Sequence, residues 1–314
     1  MDNIIPETGV LDLRQDRNPS GIRVPVNEVV HTETGLTHEQ ARILGQMSYI
    51  DFTHLEIDVV GESMTTREAL ERAQEILEKQ INSGSDGPFP PNNGGMSPKD
   101  YQEFIRDILA NEGGKYSGML NLRITGHESV RPTQDSPINV SLVMTALEDG
   151  DGNTIILSTG TEGAFDEWMT GIPGFLNSVW LSNDSLLLGG RGHEPTRRRV
   201  EEFALVHAGN GAVLCLGHSL GYMRSGWAAL ALLQAGRDDV SVIGINGFGP
   251  KASLKPRERT DLNPRSTNLV TRGDPSANAG PSFGTIIVFE NVDAMPIYRS
   301  SVVSRQMSEK PLAS

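Results

Sequence analysis

Histidine runs out early in this sequence: all seven lie at or before position 218 of a 314-residue chain. Cysteine is scarcer still. A lone thiol, Cys215, allows no internal disulfide and no cysteine-based metal cluster. Its apolar setting predicts a small core residue rather than a nucleophile. Positive charge is also in deficit. The 27 Lys and Arg against 40 Asp and Glu leave a net charge of −13 with no basic block. That removes the electrostatic footprint of a nucleic-acid binder. An anionic membrane surface repels the same balance unless a local apolar patch compensates. No apolar run approaches the roughly 18 residues that span a bilayer, so no transmembrane segment is expected. The opening "MDNIIPETGVLDLRQDRNPSG" has no apolar core of a secretory signal. The default expectation is a cytoplasmic, reducing setting, with signal-independent secretion left open. A Walker-type phosphate loop is missing, so nucleotide hydrolysis has no support. "EDGDGN" spaces Asp149, Asp151 and Asn153 like a calcium loop. It lacks the glycine at the sixth position and the closing glutamate, so a hairpin turn is expected. No cofactor and no metal site is expected.

Residues 1 to 35 carry no sustained periodicity and read as an N-terminal arm. Residues 36–314 read as a single α/β domain, with a helical N-terminal part over 36–115 and a sheet core over 116–314. "LTHEQARILGQMSYID" predicts a helix capped by Thr37 with Gln40 as its reciprocal partner; Ala41, Leu44 and Met47 share a face. "TTREALERAQEILEKQI" predicts a second, with Leu70, Ala73 and Leu77 inward and Glu75 to Lys79 as an i, i+4 pair. The loop-like segment 82–97 precedes a third helix opened by Ser97 and Pro98 and ended by Gly113 and Gly114. Its apolar stripe is Tyr101, Phe104, Ile105, Ile108 and Leu109. "MLNLRI" and "NVSLVMTAL" then alternate like strands, and "EDGDGN" leads into "TIILST". From there strand-like segments ("AVLCLG", "VSVIGIN", "TNLVTR", "GTIIVF") alternate with helix-like ones. That order predicts a mostly parallel sheet with crossover helices.

The most specific chemistry lies in "AVLCLGHSLGYM". Gly217-His218-Ser219-Leu220-Gly221 matches G-x-S-x-G between an apolar strand and a helix. A serine on so tight a turn needs glycine on both sides, because strand and helix approach too closely there for side chains. The chain here resembles the fungal-type (class 3) lipases and their bacterial relatives within the α/β-hydrolase fold. "GHSLG" is similar to their nucleophile sequence, and "TIILSTGTEGAFDEW" to their strand and oxyanion loop. "VIGINGFGPKA" and "TNLVTRGDPSANAG" resemble two later strands, the second leading to the catalytic acid. "LTHEQARILGQMSYID" is like the opening helix of bacterial members. The resemblance covers residues 37 to 50 and about 140 to 290. It implies a central, mostly parallel sheet with flanking helices and a helical N-terminal cap. It also implies acyl transfer on carboxylic esters, lipids among them, with transient contact with a lipid surface. Ser219 takes the nucleophile position, Asp274 the acid, and the amides of Thr161 and Leu220 the oxyanion hole.

The sequence departs from that pattern where the base should be. In this fold the triad runs Ser, Asp, His, and no histidine follows Asp274. Thr159 stands where the family has arginine, and Tyr222-Met223 replace a small pair and are expected to crowd the core behind the nucleophile. His218 is expected to be buried and turned away from Ser219. His207 falls in the last turn of a helix, where the dipole favours it, remote from the strand ends. His193, in a glycine-rich loop, is the substitute base to test. His31, His38, His54 and His127 belong to N-terminal elements. "FLNSVWLSNDSLLL" reads equally as a lid over an acyl chain or as core packing, and "RGD" at 272–274 as chance. Without a base the same fold would serve as a binding or effector protein with a protein partner.

Overall fold

The computed structural model describes residues 29–31, 33–83, 98–111, 114–130, 142–160, 194–247, 254–271 and 283–289. Strand-forming runs of Val, Ile and Leu build one seven-stranded sheet. Its strands are β3 (Arg123–Val130), β4 (Leu142–Glu148), β5 (Thr154–Ser158), β6 (Val213–His218), β7 (Val240–Ile245), β8 (Ser266–Thr271) and β9 (Thr285–Phe289). They lie side by side in chain order. The pairs β3–β4 and β4–β5 are antiparallel, and every pair from β5 to β9 is parallel. The hairpin between β4 and β5 is held by the Asp149 carboxylate, which accepts from the amides of Asp151 and Asn153, as the turn reading of "EDGDGN" expects.

Sequential parallel strands joined by crossovers of one hand place every crossover helix on the same face. Among the described residues, helices α5 (Glu194–His207), α6 (Gly221–Gln234) and α7 (Pro256–Leu262) lie in those crossovers. They pack with Met144, Ile156, Val213, Cys215 and Val242. The other face needs separate cover, and the N-terminal helices provide it. Helix α1 (His38–Met47) lies on β5, β6 and β7, and α2 (Thr66–Asn82) and α3 (Pro98–Leu109) pack on each other; Leu44, Leu70, Leu77 and Ile105 join Ile155, Leu157, Leu214, Leu216 and Ile245 in one buried cluster. Strands buried on both faces read as continuous apolar runs, which is why "TIILS" and "VLCLGH" are buried throughout.

The expected cap at Thr37 forms, with Gln40 closing a reciprocal capping box, and Thr65 with Glu68 makes a second one that the sequence reading did not name. The i, i+4 ion pair on α2 is Arg67–Glu71 at 3.9 Å rather than Glu75–Lys79. Two expectations are corrected. "MLNLRI" is not a continuous strand: residues Ser117–Leu120 form the short helix α4, and β3 begins only at Arg123. The apolar spacing of Met119, Leu120 and Ile124 fits either period, and burying Met119 and Leu120 against the N-terminal helices selects the helix. The arm ends sooner than residue 35, because β1 (Val29–His31) pairs antiparallel with β2 (Leu36–Thr37) around Gly35 at φ +62°. Among the described residues no helix is long and apolar enough to cross a membrane.

Candidate active site at the serine elbow

Strand β6 ends at His218, α6 begins at Gly221, and the turn between them puts half-buried Ser219 at φ +53°. A residue with a Cβ is uncommon in that left-handed region, which costs about 1–2 kcal/mol outside glycine. Two contacts enforce it. A Cβ on Gly217 would lie 2.2 Å from the Gly221 carbonyl group, and one on Gly221 would lie 2.2 Å from the Ser158 carbonyl oxygen. The helix therefore starts directly against the ends of β5 and β6. The Ser219 amide donates to the Ile245 carbonyl at 2.9 Å, which continues the ladder to β7 one residue past the strand. Leu220 is the buried N-cap of α6, and the first amides of a helix have no acceptor inside it.

Gly160 is the hub around this turn. A Cβ there would lie 2.3 Å from the Tyr49 hydroxyl, 2.7 Å from the His218 carbonyl oxygen and 3.2 Å from the Ser219 Cβ. Only glycine lets the chain leaving β5 touch both α1's C-terminal turn and the serine. Tyr49 reaches in from just beyond α1, and its hydroxyl is 2.8 Å from His218 Nδ1. The His218 ring lies on the α1 side of the sheet, edge-on to Tyr49, and its buried Nε2 has no hydrogen-bond partner among the described residues. Burial pushes its pKa down to about 4 from 6.5, so the imidazole is uncharged at neutral pH. The histidine expected to be buried is buried, and among the described residues one of its two nitrogens, Nδ1, has a partner.

On the opposite face, α6 brings the buried Arg224 to the end of β5. Its Nη1 donates to the Thr159 carbonyl at 2.8 Å, the Thr159 hydroxyl at 3.1 Å and the Gly160 carbonyl at 3.1 Å. The Thr159 hydroxyl in turn accepts from the Val143 amide at 3.0 Å. The crowding expected from Tyr222 and Met223 is absorbed. Tyr222 stacks on Phe283 with centroids 4.3 Å apart, and its hydroxyl donates to the Phe283 carbonyl. Gly244 and Gly247 leave the room: a Cβ on either would sit within 2.6 Å of the Tyr222 ring.

Ser219 and Leu220 therefore share the turn on which the sequence put them. Thr161, His193 and Asp274 lie outside the described residues, as does the segment "FLNSVWLSNDSLLL". The register nevertheless sets the edge from which the chain departs toward Thr161 and Asp274. Ser158 pairs with Gly217, His218 with Ile245, and Ile245 with Leu269, so β5, β6 and β8 all leave the sheet on the side of Ser219. His207 is at the far end of α5, against Phe203 and Gly126, with its pKa lowered by desolvation. His127 is tied to the Thr145 hydroxyl at 3.0 Å and lies 3.8 Å from Asp51. Cys215 is fully buried, its thiol pushed up to about 12 by desolvation, which suits the inert core role. Sequence reasoning missed Tyr49 and Arg224. Nothing local marks Tyr49, but an arginine among the apolar residues of "GYMRSGWAALALL" is a visible anomaly.

No protein-family model matches the sequence, and no curated protein matches it. A solved structure, the crystal structure of M37 lipase, is similar over 75% of this chain and 67% of that chain, with a TM-score of 0.40 and 16% identity.

Proposed function

We propose that the chain is a serine hydrolase of the α/β-hydrolase type, built like the class 3 lipases and acting on carboxylic esters, lipids among them. The observation that carries this reading is Ser219 at φ +53° between β6 and α6, with backbone against backbone on both sides. Strain of this kind at a half-buried hydroxyl is maintained where a side chain must be presented to a ligand. In the proposed reaction the Ser219 Oγ attacks the ester carbonyl while an imidazole takes its proton. The Leu220 and Thr161 amides hold the oxyanion, each worth about 3–4 kcal/mol. The alcohol leaves with the proton returned by the imidazole, and water repeats the cycle on the acyl-enzyme. Asp274 is proposed to orient the imidazole, and His193 to supply it.

The absence of histidine after position 218 favours a second reading, a non-catalytic binding or effector protein on the same fold. Labelling with a fluorophosphonate separates the two, since the reagent forms a Ser Oγ–P bond and expels fluoride only at an activated serine. Labelling of the wild type that disappears in Ser219→Ala and falls at least 100-fold in His193→Ala is the expected result. A folded protein that stays unlabelled beside a reactive control esterase overturns the hydrolase reading. Ester turnover alone does not decide, because a site lacking one triad member keeps roughly 10³–10⁴ of rate over water.

A further inference from the structure

Tyr49 belongs to the N-terminal layer, yet its hydroxyl stands at the serine turn. The point that a Cβ on Gly160 would take lies 2.3 Å from that hydroxyl and 3.2 Å from the Ser219 Cβ. The hydroxyl and the serine Cβ are thus no farther apart than those two lengths laid end to end. The serine Oγ, the atom it attacks and one oxygen on that atom can fill such a span. The hydroxyl is also held in place. Gly45 lets α1 lie close on the sheet, since a Cβ there would be 3.0 Å from Ile245 and 3.8 Å from the His218 Cβ. Ser48 closes the helix by donating its hydroxyl to the Gly45 carbonyl at 2.7 Å, and the Tyr49 amide donates to the Gln46 carbonyl. Two residues on, the buried Asp51 carboxylate accepts from the Ser129 hydroxyl at 2.7 Å and the His54 amide at 2.9 Å, which ties the chain to β3. The tyrosine is itself buried, with His218 Nδ1 2.8 Å from its oxygen. A neutral imidazole carries one N–H. On the buried Nε2, which has no partner among the described residues, that proton would make a stranded donor, the rarer kind of orphan. On Nδ1 it is given to the tyrosine oxygen, and the tyrosine O–H then turns away from His218.

We propose that Tyr49 is a further catalytic residue: its hydroxyl donates a hydrogen bond to the oxygen that turns negative when Ser219 adds to an ester carbonyl, and His218 is the positioning residue that holds it from Nδ1. The proposal rests on the hydrolase reading above and adds a side-chain donor to it. The tyrosine proton is shared with the oxyanion and not transferred, so no bond of Tyr49 breaks. A donor already fixed by buried partners needs no reorganisation as the charge develops, and that is the condition under which such a hydrogen bond lowers a barrier.

The test begins with Tyr49→Phe, which removes one oxygen and keeps the ring. On a short-chain nitrophenyl ester kcat should fall about 100-fold with KM within about twofold, and phosphonylation by a fluorophosphonate should slow in parallel, with the folded fraction checked by circular dichroism. His218→Leu should lower kcat roughly tenfold alone but less than about twofold in the Tyr49→Phe background, because His218 acts through the tyrosine; a purely structural role would cost the same in both. A crystal structure of the phosphonylated wild type needs no variant to fold. In it the Tyr49 oxygen should lie about 3 Å from a phosphonyl oxygen. Unchanged kcat in Tyr49→Phe, a loss confined to KM, equal losses from His218→Leu in both backgrounds, or a Tyr49 oxygen out of hydrogen-bond reach of the phosphonyl group would overturn the proposal. Any of these beside a reacting wild type leaves the hydrolase reading standing. A folded wild type that the fluorophosphonate does not modify overturns that reading and the proposal together.

Discussion

The two ends of the parallel sheet solve the same problem with opposite means. At the end away from the serine the chain turns through Gly152 at φ +81° and Gly236 at φ +90°. Glycine takes these angles with no steric cost. Arg237 there binds the Gly209 and Gly211 carbonyls while its other donors reach the Asp239 carboxylate, all partly open to water. At the serine end the left-handed residues are Ser219 and Asn246, at φ +53° and +47°, each donating its amide one residue beyond its strand. The arginine that grips carbonyls there is buried. Glycines remain at the serine end, but as spacers at Gly160, Gly217 and Gly221 rather than as the strained residues themselves. One end relaxes its turns; the other keeps side chains on them and accepts the strain.

The largest effect that sharpens this contrast is expected from Gly217→Ala. Its new methyl would stand 2.2 Å from the backbone of Gly221, which cannot swing aside as a side chain would. We expect a loss of about 3 kcal/mol or more in urea denaturation. Gly236→Ala meets nothing within 4 Å and is expected to lose only the left-handed cost of about 1–2 kcal/mol. Equal losses would break the distinction between spacer and turn glycines.

Next in size is the pH dependence of His218. Between pH 6.5 and its lowered pKa of about 4, the unfolded chain binds a proton that the folded chain refuses. Its contribution is therefore complete above pH 6.5 and lost as pH falls toward 4, by about 3 kcal/mol in total. His218→Gln cannot titrate. The stability difference between variant and wild type should shift in the variant's favour by about 3 kcal/mol from pH 7 to pH 4, and a constant difference would contradict the buried neutral imidazole. The smallest effect comes from Ser219→Gly against Ser219→Ala. Both lack the hydroxyl, so the glycine variant should be more stable by about 1 kcal/mol, the strain of the left-handed Cβ alone. A more stable alanine variant would remove the strain from the argument.

What the sequence disclosed depended on whether the cause was local. The capping box at Thr37, the Asp149 turn, the strand character of β5 and β6 and the glycine-flanked serine are set by residues a few positions apart, and each was readable; the box at Thr65 is equally local but was not read. The helix at Ser117–Leu120 was misread because a short apolar run fits two periods and tertiary packing decides between them. The Tyr49–His218 contact joins residues 169 positions apart, so only the folding of α1 onto the ends of β5 and β6 reveals it. Arg224 was visible as an anomaly in an apolar helix, but two of its acceptors are the Thr159 and Gly160 carbonyls, and backbone oxygens carry no signature in a sequence.

The burial of Cys215 at the middle of the central strand has a practical side. The chain has one thiol, wholly covered and held protonated far above physiological pH. A thiol reagent in native buffer therefore meets a silent protein, and slow modification would count openings of β6 itself. The fold thus carries its own clock for the strand that presents the serine, and leaves a clean background for any cysteine placed by design on the surface.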